Sequence, residues 1–426
     1  MTWYSERFAE SNECPSGVDT KTGAVTRTMS DVAAWVLCLA ALTAPWGVVT
    51  ISGLQLVDVF LVIALAAVAL DPLGRHASLA VPKWVTTGAV AVILVMVWHG
   101  FVSTATANPY FGDQTSPLLA GGKWLVALLV LPSLMMAVGQ REERYIRRVA
   151  LSWLTGVAAS ASVAVADYLH FTAISLQLLG YENISGRQSG LSTHPNNLGV
   201  ACALALPLAL MLLEHRLVVG STAVLLLLAG ALASGSRGAQ AGSLLALMLT
   251  LIAVRRSRRI LTRLGIAAGL VLFALLTFWP GRLTQILPLM RFSGPEASVA
   301  ESDQARSLVF AQARIGFESH PIAGIGIYDI TSAHNIFLQL LSAGGLILFI
   351  GFVLYIGGAL RAVWRLRRAR CSLAPYLLAA VLTWMAVGFV ENQLTDRYLY
   401  IPVGCIAALQ MIASHERPNG LVSAIT

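Results

Sequence analysis

Apolar residues in this chain run in long blocks, unlike the short alternations of strands or the one-sided stripes of surface helices. The blocks fall at roughly 32–49, 55–70, 84–103, 117–138, 146–166, 195–213, 217–234, 239–254, 261–279, 334–360, 374–390 and 398–413. Several approach the roughly 20 residues that carry a helix across a bilayer, while those at 55–70 and 239–254 are short and must borrow neighbouring residues. A backbone inside lipid has to satisfy its own amides, so runs this apolar read as helices. The pattern predicts an all-α integral membrane protein with about twelve transmembrane helices.

Composition agrees, with 57% hydrophobic and 12% charged residues and a mean hydropathy of +0.72. The charges then orient the chain. Arg141-Glu142-Glu143-Arg144 with Arg147-Arg148, Arg255-Arg256-Ser257-Arg258-Arg259, and Arg365-Leu366-Arg367-Arg368-Ala369-Arg370 all fall in alternate loops. The positive-inside rule makes those loops cytoplasmic, and both termini with them. Outside are left only Lys123, Arg187, Arg237, Arg282, Arg291, Arg306, Arg314 and Arg397. The net charge of +8 is therefore a consequence of orientation and no sign of nucleic-acid binding; it predicts contact with anionic lipid heads on the cytoplasmic side. Cys14, Cys38, Cys202, Cys371 and Cys405 have no metal-ligand spacing and indicate neither a zinc site nor a disulfide framework. Residues 1–30 lack the charged-then-apolar order of a cleavable signal, so the first span is expected to be an uncleaved anchor. With no internal repeat of fixed period, one polytopic domain over 31–416 lies between cytoplasmic tails at 1–30 and 417–426.

Two extracytoplasmic loops, about 167–194 and about 280–333, are too long for tight connections, and loops of that length tend to carry function. In the second, Glu301 to Phe317 reads as a helix with Leu308, Val309, Ile315 and Phe317 approximating one face, and with Arg306 and Arg314 on another, able to point the same way. Ser319-His320-Pro321-Ile322-Ala323-Gly324-Ile325-Gly326-Ile327 follows as a breaker-rich turn that leads back to the membrane.

Candidate chemistry collects on this outward side. His334 opens a long apolar helix in Ser332-Ala333-His334-Asn335-Ile336, where a helix dipole disfavours the imidazolium and leaves a base near pH 7. Asn335 is placed to orient a hydroxyl or the ring. Gly186-Arg187-Gln188-Ser189-Gly190 precedes Thr193-His194-Pro195-Asn196-Asn197, so Arg187 sits beside a helix start, a place suited to phosphate. Its competing role is an ion pair with Glu182. Arg237, in the small-residue turn Ser234-Gly235-Ser236-Arg237-Gly238, either meets an anion or braces the turn through carbonyls. Lys123 either snorkels to lipid phosphate or faces a cavity. Asp396 is a rival base whose plainer role is a pair with Arg397. No carboxylate pair suggests a metal, so arginine alone would meet the charge of a diphosphate.

Three stretches in order, Gly186-Arg187 through His194-Pro195-Asn196, Ser234-Gly235-Ser236-Arg237-Gly238, and Arg306 through His320-Pro321-Ile322-Ala323-Gly324-Ile325-Gly326 to Ala333-His334-Asn335, resemble the O-antigen ligase and polymerase superfamily of bacterial membrane enzymes over roughly 180–360. The resemblance implies a glycosyltransferase in the bacterial cytoplasmic membrane with its active site facing outward. Its donor would be a glycan on a polyprenyl diphosphate and its acceptor a hydroxyl of a glycan or glycolipid, with no metal or other cofactor. Arg187 and Arg306 would hold the diphosphate, His334 would activate the acceptor, and Arg237 would support the turn beside them. Ligase and polymerase share these motifs, and the lean is towards ligase. A transporter or flippase of lipid-linked glycans is the alternative of another class; it would call for mid-membrane charges, broken helices and a repeat of halves.

Overall fold

The computed structural model describes residues 24–51, 54–70, 81–102, 117–140, 143–179, 186–254, 265, 296–327 and 333–415. Most of them are helical. The helices are α1 (Ala24–Thr43), α2 (Leu56–Ala69), α3 (Lys83–Val102), α4 (Pro117–Leu125) running through a π turn at Val126–Val130 into α5 (Leu131–Gly139), α6 (Glu143–Tyr168), α7 (Ile174–Leu179), α8 (Pro195–His215), α9 (Leu217–Ala233), α10 (Arg237–Ala253), α11 (Glu296–Ser319), α12 (Ile336–Arg368), α13 (Ala374–Val387) and α14 (Arg397–His415). A two-residue hairpin, β1 (Thr50–Ile51) with β2 (Leu54–Gln55), leads into α2.

Six helical stretches are long and apolar enough to cross a membrane, namely Lys83–Gly100, Ala120–Gly139, Glu143–Tyr168, Pro195–His215, Ile336–Arg368 and Arg397–Ser414. Five apolar helices are shorter: Asp31–Thr43, Leu56–Ala69, Leu217–Ala233, Arg237–Ala253 and Ala374–Val387. These eleven coincide with eleven of the apolar blocks; the block at 261–279 apart from residue 265, the tails 1–23 and 416–426, the basic run Arg255–Arg259, and residues 280–295 and 328–332 of the second loop lie outside the described residues. Two helices form the centre. In the span windows of α8 and α14, 78% of residues are buried against protein, against 39% for α3, which turns Val90, Leu94 and Trp98 outward as a lipid-facing helix would. Around α8 pack α6, α9, α10 and α13, while α3 and α11 lean on α12 and α14 lies against α5.

Hydrogen bonds show which turns share an end of the bundle. At one end, Val48 meets Leu191, Gln188 meets Ala233, and Ile336 meets Gly388 through backbone bonds. Arg397 here grips Asp58 in the first turn of α2 with both carboxylate oxygens, at 2.9 and 3.0 Å. At the other end Arg147 donates to Ser372 Oγ at 2.8 Å, and Trp84 to Gln410 at 3.1 Å.

Helix α12 is broken. Gly345 has φ 59° and ψ −155°, a conformation open to glycine and costly for other residues, and the backbone groups freed there are met by the turn after α11. Ile325 and Gly326 N–H donate to the Ser342 and Ala343 carbonyls, and Leu346 and Ile347 N–H donate to the Pro321 and Ile322 carbonyls, all at 2.8–3.2 Å. Non-helical backbone is tolerated at such depth because protein satisfies it. The breaker-rich turn is thus a plug for the break, and it holds α11 against α12.

Two expectations for α11 are corrected. Leu308 and Ile315 are exposed, and the buried stripe runs through Ala313 and Gly316 instead, because a close approach to Ser342 and Ile325 leaves room only for small side chains. Arg306 and Arg314 also diverge: eight residues at about 100° each leave them about 80° apart around the helix. Arg314 is exposed and pairs with Glu318 at 2.7 Å, whereas Arg306 is half-buried.

Candidate active site

The segment between α6 and α8 is pinned before it reaches α8. Asp167 accepts from the Ile174 and Ser175 N–H groups at the start of α7, Ser160 Oγ accepts from Leu191 N–H, and Ser192 Oγ donates to the Pro45 carbonyl at 2.8 Å. Arg187 is held between two elements as a result: its Nε donates to the Ser234 carbonyl at 2.8 Å and its NH2 donates to Asn196 Oδ1. Gly235, at φ 59°, lies against the Arg187 side chain, where a Cβ would come within 3.1 Å of Cγ. Arg187 therefore braces this turn through a carbonyl, one of the two roles considered for Arg237. Arg237 is exposed as the first residue of α10. Glu182 lies outside the described residues.

Glu391 is the residue that sequence reading passed over. It is only 2% exposed, in the 388–396 turn between α13 and α14. Asn196 Nδ2 donates to one of its oxygens at 2.9 Å, and Ser236 Oγ, which also caps α10 by accepting from Ala239 N–H, donates to the other at 2.8 Å. Gly238 lets the carboxylate close in, since a Cβ there would sit 2.8 Å from Oε1. Burial raises the Glu391 pKa, and Ser236, Arg306 and Arg187 oppose that rise. The side chain thereby ties α8, the start of α10 and the turn between α13 and α14 together, within electrostatic reach of Arg306 and Arg187. A lone Glu in a short turn carries no pattern that would have singled it out.

His334 stands in the left-handed region, at φ 50°, one residue before the cap of α12. Its Nδ1 is buried without a hydrogen-bond partner. Such strain with an unpaired polar atom is what functional residues tend to show. Its pKa is lowered to about 4, by burial first and then by the charges of Arg306 and Arg187. Burial and the two arginines thus favour the neutral imidazole. Asn335 takes over the helix start: its Oδ1 accepts from Phe337 and Leu338 N–H at 3.0 Å, and its Nδ2 donates to the Phe389 carbonyl. The orienting role expected of Asn335 gives way to capping, because a buried helix start needs its amides met.

A second histidine joins the group. His194 caps α8, its Nδ1 accepting from Asn196 N–H at 3.1 Å, and its pKa is also lowered to about 4, by desolvation and then by Arg187, His334 and Arg306. The structure thus brings Arg187, His194, Arg306, His334 and Glu391 within electrostatic reach of one another. Lys123 and Asp396 are not among the charges that act on the two histidines. Lys123 is exposed in the last turn of α4, and Arg397 pairs with Asp58 where Asp396 had been expected. Burial raises the Asp396 pKa to about 6, with Arg397 pulling the other way.

Two arginines and a histidine drawn from three separated stretches thus lie within electrostatic reach of one another. Residues 222–353 match the O-antigen ligase family. The match supports the O-antigen ligase superfamily seen in the motifs, and with it a ligase- or polymerase-like membrane glycosyltransferase. It covers α9 to the break in α12, including Arg237, Arg306, His334 and Asn335; Arg187, His194 and Glu391 reach the O-antigen ligase segment from outside it. No curated protein matches the chain at a significant level.

Proposed function

We propose that the chain transfers a glycan from a polyprenyl diphosphate to an acceptor hydroxyl at the outer face of the cytoplasmic membrane, in the manner of a ligase. The observation that carries this reading is the convergence of His334 with Arg306 and Arg187, two cations and a neutral base at one end of the bundle. The hydroxyl proton passes to the free lone pair of His334 as its oxygen forms a bond to the anomeric carbon. The bond from that carbon to the diphosphate breaks, and the departing oxygen keeps the electron pair, facing Arg187 and Arg306. Attack from the opposite side inverts the anomeric configuration. His194 does not compete as the base: its Nδ1 lone pair is engaged with Asn196 N–H, so the neutral ring carries its proton on Nε2 and is a donor.

Placed arginines supply charge stabilisation worth about 10²–10³ in rate for each donor removed, and the base adds about 10²–10⁴. Glu391 keeps Asn196, and through it Arg187, in place. Twelve spans with both termini inside put this end of the bundle outward, in agreement with the sorting of the basic clusters.

The test is transfer by purified protein, with EDTA present, from a polyprenyl-diphosphate-linked glycan to glycolipid or carrier-linked acceptors. Loss of turnover in His334→Ala and Arg187→Ala with folding retained supports the reading, and the product distinguishes ligation from polymerisation. The broken α12 is a feature that the transporter alternative called for, although its freed groups are met by Pro321–Gly326. No transfer by folded wild type, with carrier movement across proteoliposomes instead, would establish that alternative.

A further inference from the structure

The basic run that closes α12 takes no part in the candidate active site. Arg361, Trp364, Arg365 and Arg368 recur at three- and four-residue spacing on one face of α12 and, with Leu378 and Leu382 of α13, line a cleft of about 600 Å³. Arg361, Arg365 and Arg368 are all exposed, and among the described residues none of the three has a carboxylate partner. The Arg368 guanidinium lies 6.0 Å from the Trp364 ring centroid, and that of Arg367 5.4 Å from it. The cleft is therefore divided, with cations and an indole at its rim and leucines along its wall.

Beyond the break at Gly345, α12 runs on to Arg368 for about 35 Å, long enough to put this cleft at the opposite face of a bilayer from His334. Unpaired arginines beside apolar surface at that level need an anion that itself carries an apolar tail. We propose that the cleft between the ends of α12 and α13 is a binding site for one anionic phospholipid, whose phosphate meets Arg361, Arg365 and Arg368 and whose acyl chain follows Leu378 and Leu382. A zwitterionic lipid would place its own cation against the third arginine. An indole at the level of the headgroup suits the interface.

Native mass spectrometry of the full chain, stripped of lipid in detergent and titrated with phosphatidylglycerol or phosphatidylcholine, tests this. One phosphatidylglycerol is expected to be retained at about tenfold lower concentration than phosphatidylcholine. Arg365→Gln should weaken it about fivefold, and Arg361→Gln/Arg365→Gln/Arg368→Gln together about 100-fold, from about 1 kcal/mol for each arginine. Arg216→Gln, at an exposed arginine that does not line the cleft, should leave retention unchanged, with thermal unfolding reporting that each variant is folded. Equal retention of the two lipids by wild type, displacement of phosphatidylglycerol by millimolar inorganic phosphate, or full retention by the triple variant would each overturn the proposal.

Discussion

At the scale of the residue, His334 and Glu391 show how burial decides chemistry. Burial and two arginines hold His334 neutral down to a pKa of about 4, so the acid limb of kcat/KM should fall near pH 4 in place of the usual histidine range. Bound diphosphate adds negative charge, and the limb of kcat should lie higher than that of kcat/KM; coincident limbs near pH 6.5 would show that another group titrates. Stability follows the same groups. The unfolded chain takes up protons at His194 and His334 below about pH 6.5, while the folded chain resists until about 4, so stability is lost as pH falls through that window. The thermal midpoint should drop between pH 6.5 and 4, and drop less in His194→Asn, which keeps an N-cap. Glu391→Ala leaves the Asn196 amide and the Ser236 hydroxyl without their acceptor, at about 1–3 kcal/mol each. Unfolding in detergent should register it, with Glu391→Gln milder.

At the scale of the element, the break in α12 and the ion pair at the head of α14 are the devices that aim the site. A Cβ on Gly345 would come within 2.3 Å of the Ile322 backbone, and φ 59° is itself strained for alanine. Gly345→Ala is expected to release the Pro321–Gly326 plug, shift Arg306, and cost activity at least as much as stability; wild-type transfer by that variant would show that the plug does not position α11. Asp58 and Arg397 join α2 to α14 through a largely buried bidentate pair, and removing one partner costs about 3–5 kcal/mol. Asp58→Asn should therefore destabilise more than the double change Asp58→Asn/Arg397→Gln, as denaturation of each variant would reveal.

At the scale of the whole molecule, alternation of the basic clusters predicts opposite faces for the two ends of the bundle. Thr193 and Arg216 lie near opposite ends of α8, and both are exposed. An impermeant thiol reagent applied to intact cells should label Thr193→Cys and spare Arg216→Cys; the reverse would invert the topology and remove the outward site.

The sequence by itself determined the class of fold, because long apolar blocks admit only helices in lipid, and basic clusters sort the ends. It also determined His334, Arg187 and Arg306 as candidates, because outward charges are few and their motifs stand in order. Only tertiary structure decided that they meet, and that Glu391 and His194 meet them, since four segments far apart in the chain supply one site. Only it decided that Gly345 breaks α12, that Asn335 caps while Arg187 braces, and that Arg397 turns to Asp58. Those outcomes depend on which buried donors and acceptors find one another once the helices have packed, and spacing along a chain carries no record of that.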